Sequence, residues 1–233
     1  MPVIYRDDWL LAVDKPSGLA SHRGWAGDED TAADRARALA GAAVHLVHRL
    51  DRGTSGVLLF ALSSDVAAAL GATIESGGFE RHYVAAVRGE PPERGTIDHA
   101  VRRGEAGDSP RLPAVTLFRR LASLVAPRYS VVTAQPVTGR LHQIRRHLKH
   151  LGHPILGDVN YGRGEHNRLC RAQFGLHRIA LHASVLAFTH PVTGAPILLR
   201  APLPDDLRVP LLAMGFGVTL TDACDSIQPS LHS

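Results

Sequence analysis

The chain has 233 residues, 45% of them hydrophobic, with a formal charge of +4 and two cysteines; such a length buries a substantial core, and no apolar run approaches the ~20 residues that carry a helix across a bilayer. A helical membrane protein is therefore excluded, and one catalytic-sized domain over residues 1–216 is expected, followed by a loosely ordered tail over 217–233 that lacks periodicity. The opening residues show no signal-peptide pattern, and Cys170 and Cys224 are too few and too far apart for a disulfide framework, so a cytoplasmic protein with free thiols is expected.

Residues 3–5 and 10–13 read as an opening hairpin, closed by the turn chemistry of Lys15-Pro16-Ser17-Gly18. Asp30 or Thr31 caps a helix that runs to Ala40 and stops at Gly41, and Ser63 or Ser64 caps another that ends at Gly77-Gly78. Between them, residues 44–48 alternate as a strand, and the continuous apolar run 57–62 reads as a strand buried on both faces. These two strands bracket His48-Arg49-Leu50-Asp51-Arg52-Gly53-Thr54-Ser55-Gly56. Its glycines and small hydroxyl residues permit sharp backbone geometry and leave space beside Asp51. The flanking arginines favour a charged carboxylate, the form a nucleophile needs. The plainer reading is a turn aspartate paired with an arginine.

Residues 81–87 alternate again, with Arg81, Tyr83 and Ala85 on one face. Residues 89–113 form an irregular connection rich in Gly and Pro, with a short strand at 97–101, and 114–121 and 129–134 are expected to pair antiparallel. Residues 139–152 read as one helix, because Leu141, Ile144, Leu148 and Leu151 share a face and Gly152 suits the end. On that helix Arg145 flanks the buried stripe, in reach of an internal carboxylate; Arg146 points away, towards solvent or phosphate with Arg140 and Lys149. Residues 181–189 and 197–200 form a last hairpin, and 205–214 a closing helix. From 111 to 200, 13 Arg and Lys stand against two acids, Asp158 and Glu165, a local excess of 11 positive charges. A phosphate-seeking face follows from that bias.

The string His-Arg-Leu-Asp-x-x-Thr-Ser-Gly before an apolar strand resembles the catalytic motif of the RluA-type pseudouridine synthases. The Lys-Pro-x-Gly turn at Lys15, the basic-x-Tyr-x-Ala strand at Tyr83, the Thr-Gly-Arg-x-His-Gln-x-Arg run ending at Arg145 and the Gly-His-Pro-Ile-x-Gly-Asp segment ending at Asp158 are similar to further motifs of that family, so the likeness spans residues 3 to about 205. Arg81 stands where Lys is common. The Arg145-Arg146-His147 run, the insertion around residues 164–168 and Phe174-Gly175-Leu176 are most similar to the TruC branch, the tRNA pseudouridine-65 synthases, although His166 stands where that branch has glutamine.

The resemblance implies an α+β fold with a mixed, mainly antiparallel sheet, and catalytic roles for Asp51 as the residue that attacks uridine, Tyr83 against the target base and Arg145 paired with Asp51. Arg49 is expected to fill the space of an extruded base or to hold its displaced partner, and Lys15, Arg140, His142, Gln143, Arg146 and Lys149 to meet RNA. The expected protein is a monomer acting on RNA, tRNA first and ribosomal RNA as the alternative, with neither metal nor organic cofactor. Spacings of five and three among His142, His147, His150 and His153 do not fit paired helical metal ligands, so these histidines are expected to hydrogen-bond or face RNA. Two readings of other classes are a non-catalytic RNA-binding protein and a glycoside hydrolase; the second lacks a partner acid near Asp51.

Overall fold

A computed structural model describes residues 1–23, 29–104, 109–217, 227 and 229. The opening hairpin joins β1 (Val3–Arg6) to β2 (Leu10–Lys15) in antiparallel register. Asp7 makes the turn by accepting from the backbone N–H groups of Trp9 and Leu10 at 2.8 and 2.7 Å, the usual work of an aspartate in a tight connection. The helix α1 (Ala32–Ala40) starts at Thr31, whose Oγ1 accepts from the Asp34 N–H, and stops at Gly41 with φ +71°. The strand expected over 44–48 contracts to β3 (His45–Leu46), which pairs with β4 (Ser55–Ala61). Every residue of β4 is buried, which explains its unbroken apolar run. Next comes α2 (Ser64–Glu75), capped by Ser63, then β5 (Phe79–Arg88).

The irregular connection holds three separate strands, β6 (Arg94–Asp98), β7 (Val101–Arg102) and β8 (Arg111–Leu112), in place of the single one expected over 97–101. Longer strands follow, β9 (Val115–Ser123) and β10 (Tyr129–Pro136), antiparallel as expected. The helix expected over 139–152 is α3, shortened to Gln143–His150. A helix not anticipated from sequence, α4 (Gly164–Phe174), occupies the supposed insertion. The last elements are β11 (Leu181–Thr189), β12 (Pro196–Arg200) and α5 (Asp205–Met214).

The α+β expectation stands, with a mixed, mainly antiparallel sheet flanked by helices. Two compact units divide the chain. The first comprises Met1–Arg81 and Ala183–Pro202, and in it β4 lies between β2 and β11, with β12 antiparallel to β11. Its core packs Leu10, Leu59, Phe79 and Phe188 with Val66 and Leu70 of α2, the two phenyl rings stacked at 4.8 Å. The second comprises His82–His182 and Leu203–Ile227, with strand order β5-β10-β9-β6 and a separate β7–β8 ribbon. There α3 packs on β9 and β10, and α4 on α5. Among the described residues no helix is long and apolar enough to cross a membrane. Cys170 is a buried free thiol; Cys224 and most of the expected tail lie outside the described residues.

Candidate active site

In the first unit, Asp51 sits on the loop between β3 and β4, and that loop is tied down from the segment that follows β2. Ser21 Oγ donates to the Leu50 carbonyl at 2.7 Å and accepts the Leu50 N–H at 3.0 Å. The Gly18 N–H donates to the Arg52 carbonyl at 2.8 Å, and Ser17 Oγ to the Gly53 carbonyl at 2.7 Å. The Thr54 N–H closes the turn on the Asp51 carbonyl at 3.0 Å. A buried Leu50 anchors the loop while Asp51 keeps partial exposure and Arg49 is exposed. The backbone beside the carboxylate is therefore preorganised, and its side chain is accessible.

Lys15, expected to meet RNA, is instead fully buried. Its ammonium donates to the carbonyls of Leu19, Pro16 and Arg52 at 2.7, 2.9 and 3.2 Å, so it clamps the Asp51 loop from beneath. A buried ammonium survives only with such a set of acceptors. Gly56, at φ +113°, completes the loop; a Cβ there would come within 2.1 Å of the Ala183 carbonyl oxygen, so no side chain fits. His48 starts the loop and accepts the Leu59 N–H at Nε2, 3.2 Å. Burial first, and the Arg81 charge second, push its pKa down to about 3, which keeps the ring a neutral acceptor.

In the second unit, Tyr83 is only 9% exposed on β5, opposite Ala134 of β10. Arg145 is buried and grips Asp158 with two parallel bonds, Nε to Oδ2 at 2.7 Å and Nη2 to Oδ1 at 2.9 Å. Burial pushes the Asp158 carboxyl up, but the Arg145 bond and charge, with the Tyr161 and Asn160 N–H groups, outweigh it and hold the pKa below the ordinary value. The turn that delivers Asp158 needs Gly157, whose φ is +75° and whose Cβ would lie 1.9 Å from the Arg178 carbonyl oxygen. The sequence analysis set Arg145 against Asp51 and did not anticipate its bond to Asp158. The signal available was the pairing of a buried-flank arginine with a nearby acid in a stretch that has only two.

Gln143 is a second correction to the RNA-facing set. It is 4% exposed, accepts from Thr138 Oγ1 and the Arg140 N–H, and donates to the Val115 carbonyl and Thr116 Oγ1. This knot ties residues 138–143 to β9, and His142 takes the left-handed conformation at φ +53°, so α3 cannot start earlier. His142 Nδ1 is 3.1 Å from Tyr161 Oη. Arg140 is exposed, with Nε donating to the Pro113 carbonyl, and Lys149 is exposed. Arg146, expected to face outward, is partly buried: it donates to Tyr161 Oη and to the Arg102 and Gly104 carbonyls. His147 is buried between Thr116 and the His99 carbonyl, His153 bonds the Arg88 carbonyl, and His166 bonds Tyr129 Oη.

Asp51 and Arg49 thus belong to one unit, Tyr83 and Arg145 to the other. The sequence pattern described as RNA pseudouridylate synthase matches residues 9–150, which include all four. A tRNA pseudouridine synthase C of Haemophilus ducreyi is 40% identical, with 95% of this chain and 98% of that protein covered. The one from Vibrio parahaemolyticus is 38% identical over 88% and 91%. Among solved structures, human RNA Pseudouridylate Synthase Domain Containing 4 matches with a TM-score of 0.74 at 27% identity, covering 91% of this chain and 92% of that one.

Proposed function

Because this chain belongs to the RNA pseudouridylate synthase family, we propose that it isomerises one uridine of a transfer RNA to pseudouridine, at position 65 as its sequence likeness implies. The observation that carries this reading is Asp51: a partly exposed carboxylate inside the family's longest motif, on a loop whose backbone is held at Leu50, Arg52 and Gly53. Relatives named tRNA pseudouridine synthase C support the choice of tRNA.

The reaction breaks the bond between ribose C1′ and base N1, turns the base and joins C1′ to C5; C5 gives up its proton and N1 gains one, so nothing is oxidised or reduced. A base inside a stem is out of reach, so it is extruded first. Arg49, exposed beside Asp51, fills the vacated space. Asp51 supplies the carboxylate that opens the glycosidic bond, and the ring of Tyr83 supports the base. Arg145 supplies the cation that holds carboxylate charge in place, helped by Asp158, which fixes its guanidinium. Arg140, His142, Arg146 and Lys149 form the RNA-facing set. The protein is proposed to work in the cytoplasm, as a monomer.

The test uses tRNA carrying tritium at C5 of uridine, from which each isomerisation releases the label. Wild-type protein should release it stoichiometrically, and Asp51→Asn should release none above background while binding the tRNA within about threefold of wild type. Normal release by the variant would remove Asp51 from the chemistry. Pseudouridine mapping in total RNA from cells lacking the gene checks the substrate: loss only in ribosomal RNA would replace tRNA, and binding without any isomerisation would leave a non-catalytic RNA-binding protein.

A further inference from the structure

A cleft of about 480 Å³ opens in the second unit between the β7–β8 ribbon, α3 and the turn after Asp158. Its described lining includes Arg102, Arg111, Arg146 and Lys149, with His99 and His150, and not one carboxylate. Among the described residues no acid forms an ion pair with Arg111, Arg146 or Lys149. Arg111, Arg146 and Lys149, none of them ion-paired with a described acid, gather beside Arg102 into a positive concavity, and a concave wall concentrates that potential.

The cations are held in place by the protein rather than left to wave in solvent. Arg146 spends three of its donors on Tyr161 Oη and the Arg102 and Gly104 carbonyls, which locks its plane and leaves two of an arginine's five for a ligand. Arg111 Nη1 donates to the Ala100 carbonyl at 3.0 Å and lies 3.2 Å from His99 Nε2. The His99 and His150 rings stack at 3.6 Å, tilted by 11°. Tyr161 presents its ring to Arg146 and Lys149, each 5.6 Å from its centre. Fixed donors and flat rings in one cleft suit a phosphate flanked by sugar and base, and the volume admits more than a lone phosphate.

We propose that this cleft is a docking subsite for the phosphodiester backbone of the RNA substrate, with Arg111 and Lys149 as its principal phosphate ligands and the His99–His150 stack as its floor. The proposal rests on RNA being the substrate and adds the ribbon residues to the RNA-binding surface.

The experiment measures binding of a tRNA transcript between about 50 and 200 mM salt, the range over which phosphate contacts lose affinity steeply. The double variant Arg111→Gln/Lys149→Gln should lose about tenfold or more in affinity, and its plot of log affinity against log salt should become shallower by about one to two units. Lys149→Glu alone, at an exposed position where folding is not at stake, should move both readings the same way. The control Arg168→Gln/Arg171→Gln on α4 removes the same charge elsewhere and should shift affinity by less than about twofold. Equal losses in the cleft and control variants, or none in either, would overturn the proposal. Inorganic phosphate is the second probe: if the cleft variants abolish its binding yet leave RNA binding intact, the site serves a small phosphorylated ligand instead. Wild-type protein that shows this salt behaviour but never forms pseudouridine would refute the isomerase reading and leave the subsite standing.

Discussion

Arg145 and Asp158 bond twice with side chains 9% and 0% exposed. Removing one partner strands a buried charge, at a cost of about 3–5 kcal/mol. Asp158→Ala should therefore lower the unfolding free energy measured by urea denaturation by that amount, and so should Arg145→Ala; the double variant should lose clearly less than the sum of the two, because the two side chains share one contact that either single substitution already breaks. Arg145→Lys keeps the charge but cannot make the parallel two-bond contact, so tritium release should still fall. If Asp158→Ala left stability within about 0.5 kcal/mol of wild type, the pair would be incidental. Helical spacing was enough to place Arg145 at a buried margin. It could not name the acid, since Asp158 lies 13 residues on, past the end of α3.

The Asp51 loop shows how elements cooperate. Its ends are set by β3 and β4, and its middle is held by the segment that leaves β2, through Lys15, Ser17, Gly18 and Ser21. Ser21→Ala removes both bonds to Leu50 and should cost about 1–3 kcal/mol locally. The Leu50 amide should then exchange its hydrogen faster, and tritium release should slow more than the melting temperature falls. Lys15→Met, of similar length, removes a donor from three carbonyls and should lower stability and turnover together; a variant that bound RNA more weakly but kept its stability would return Lys15 to the RNA-facing set. Element positions were largely legible: the caps at Thr31 and Ser63, the closing helix and the buried β4 lie where sequence chemistry put them. The start of α3 was not, because Gln143 bonds to β9 and Thr138 instead of leaving residues 139–142 free to coil.

Across the molecule, histidines that are wholly or partly buried set the acid limit. His48, His99, His147 and His166 all have pKa values lowered chiefly by burial, His48 to about 3. The unfolded chain binds protons on these rings near the ordinary 6.5 while the fold does not, so their contribution is complete above that value and is lost as pH falls towards the folded values. The urea midpoint should be flat from about pH 8 to 7 and then fall steadily towards pH 4. His48→Gln, which keeps an acceptor for the Leu59 N–H, should flatten part of that slope. A midpoint that rose on acidification would contradict the neutral state of these rings.

The sequence by itself determined the longer strands, most helices, the basic bias and the motif around Asp51, because capping, period and turn chemistry act over a few neighbouring residues. Tertiary structure decided which side chains are spent inside the protein. Lys15 and Gln143 carry the composition of RNA-binding residues, yet the Arg52 carbonyl claims a donor of the first and the Val115 carbonyl and Thr116 hydroxyl claim those of the second, from far along the chain. The cleft lined by Arg111, Arg146 and Lys149 likewise exists only because α3 and a ribbon of two two-residue strands more than thirty positions away fold against each other. Long-range contacts of this kind depend on packing, and packing leaves no local periodicity for a sequence to display.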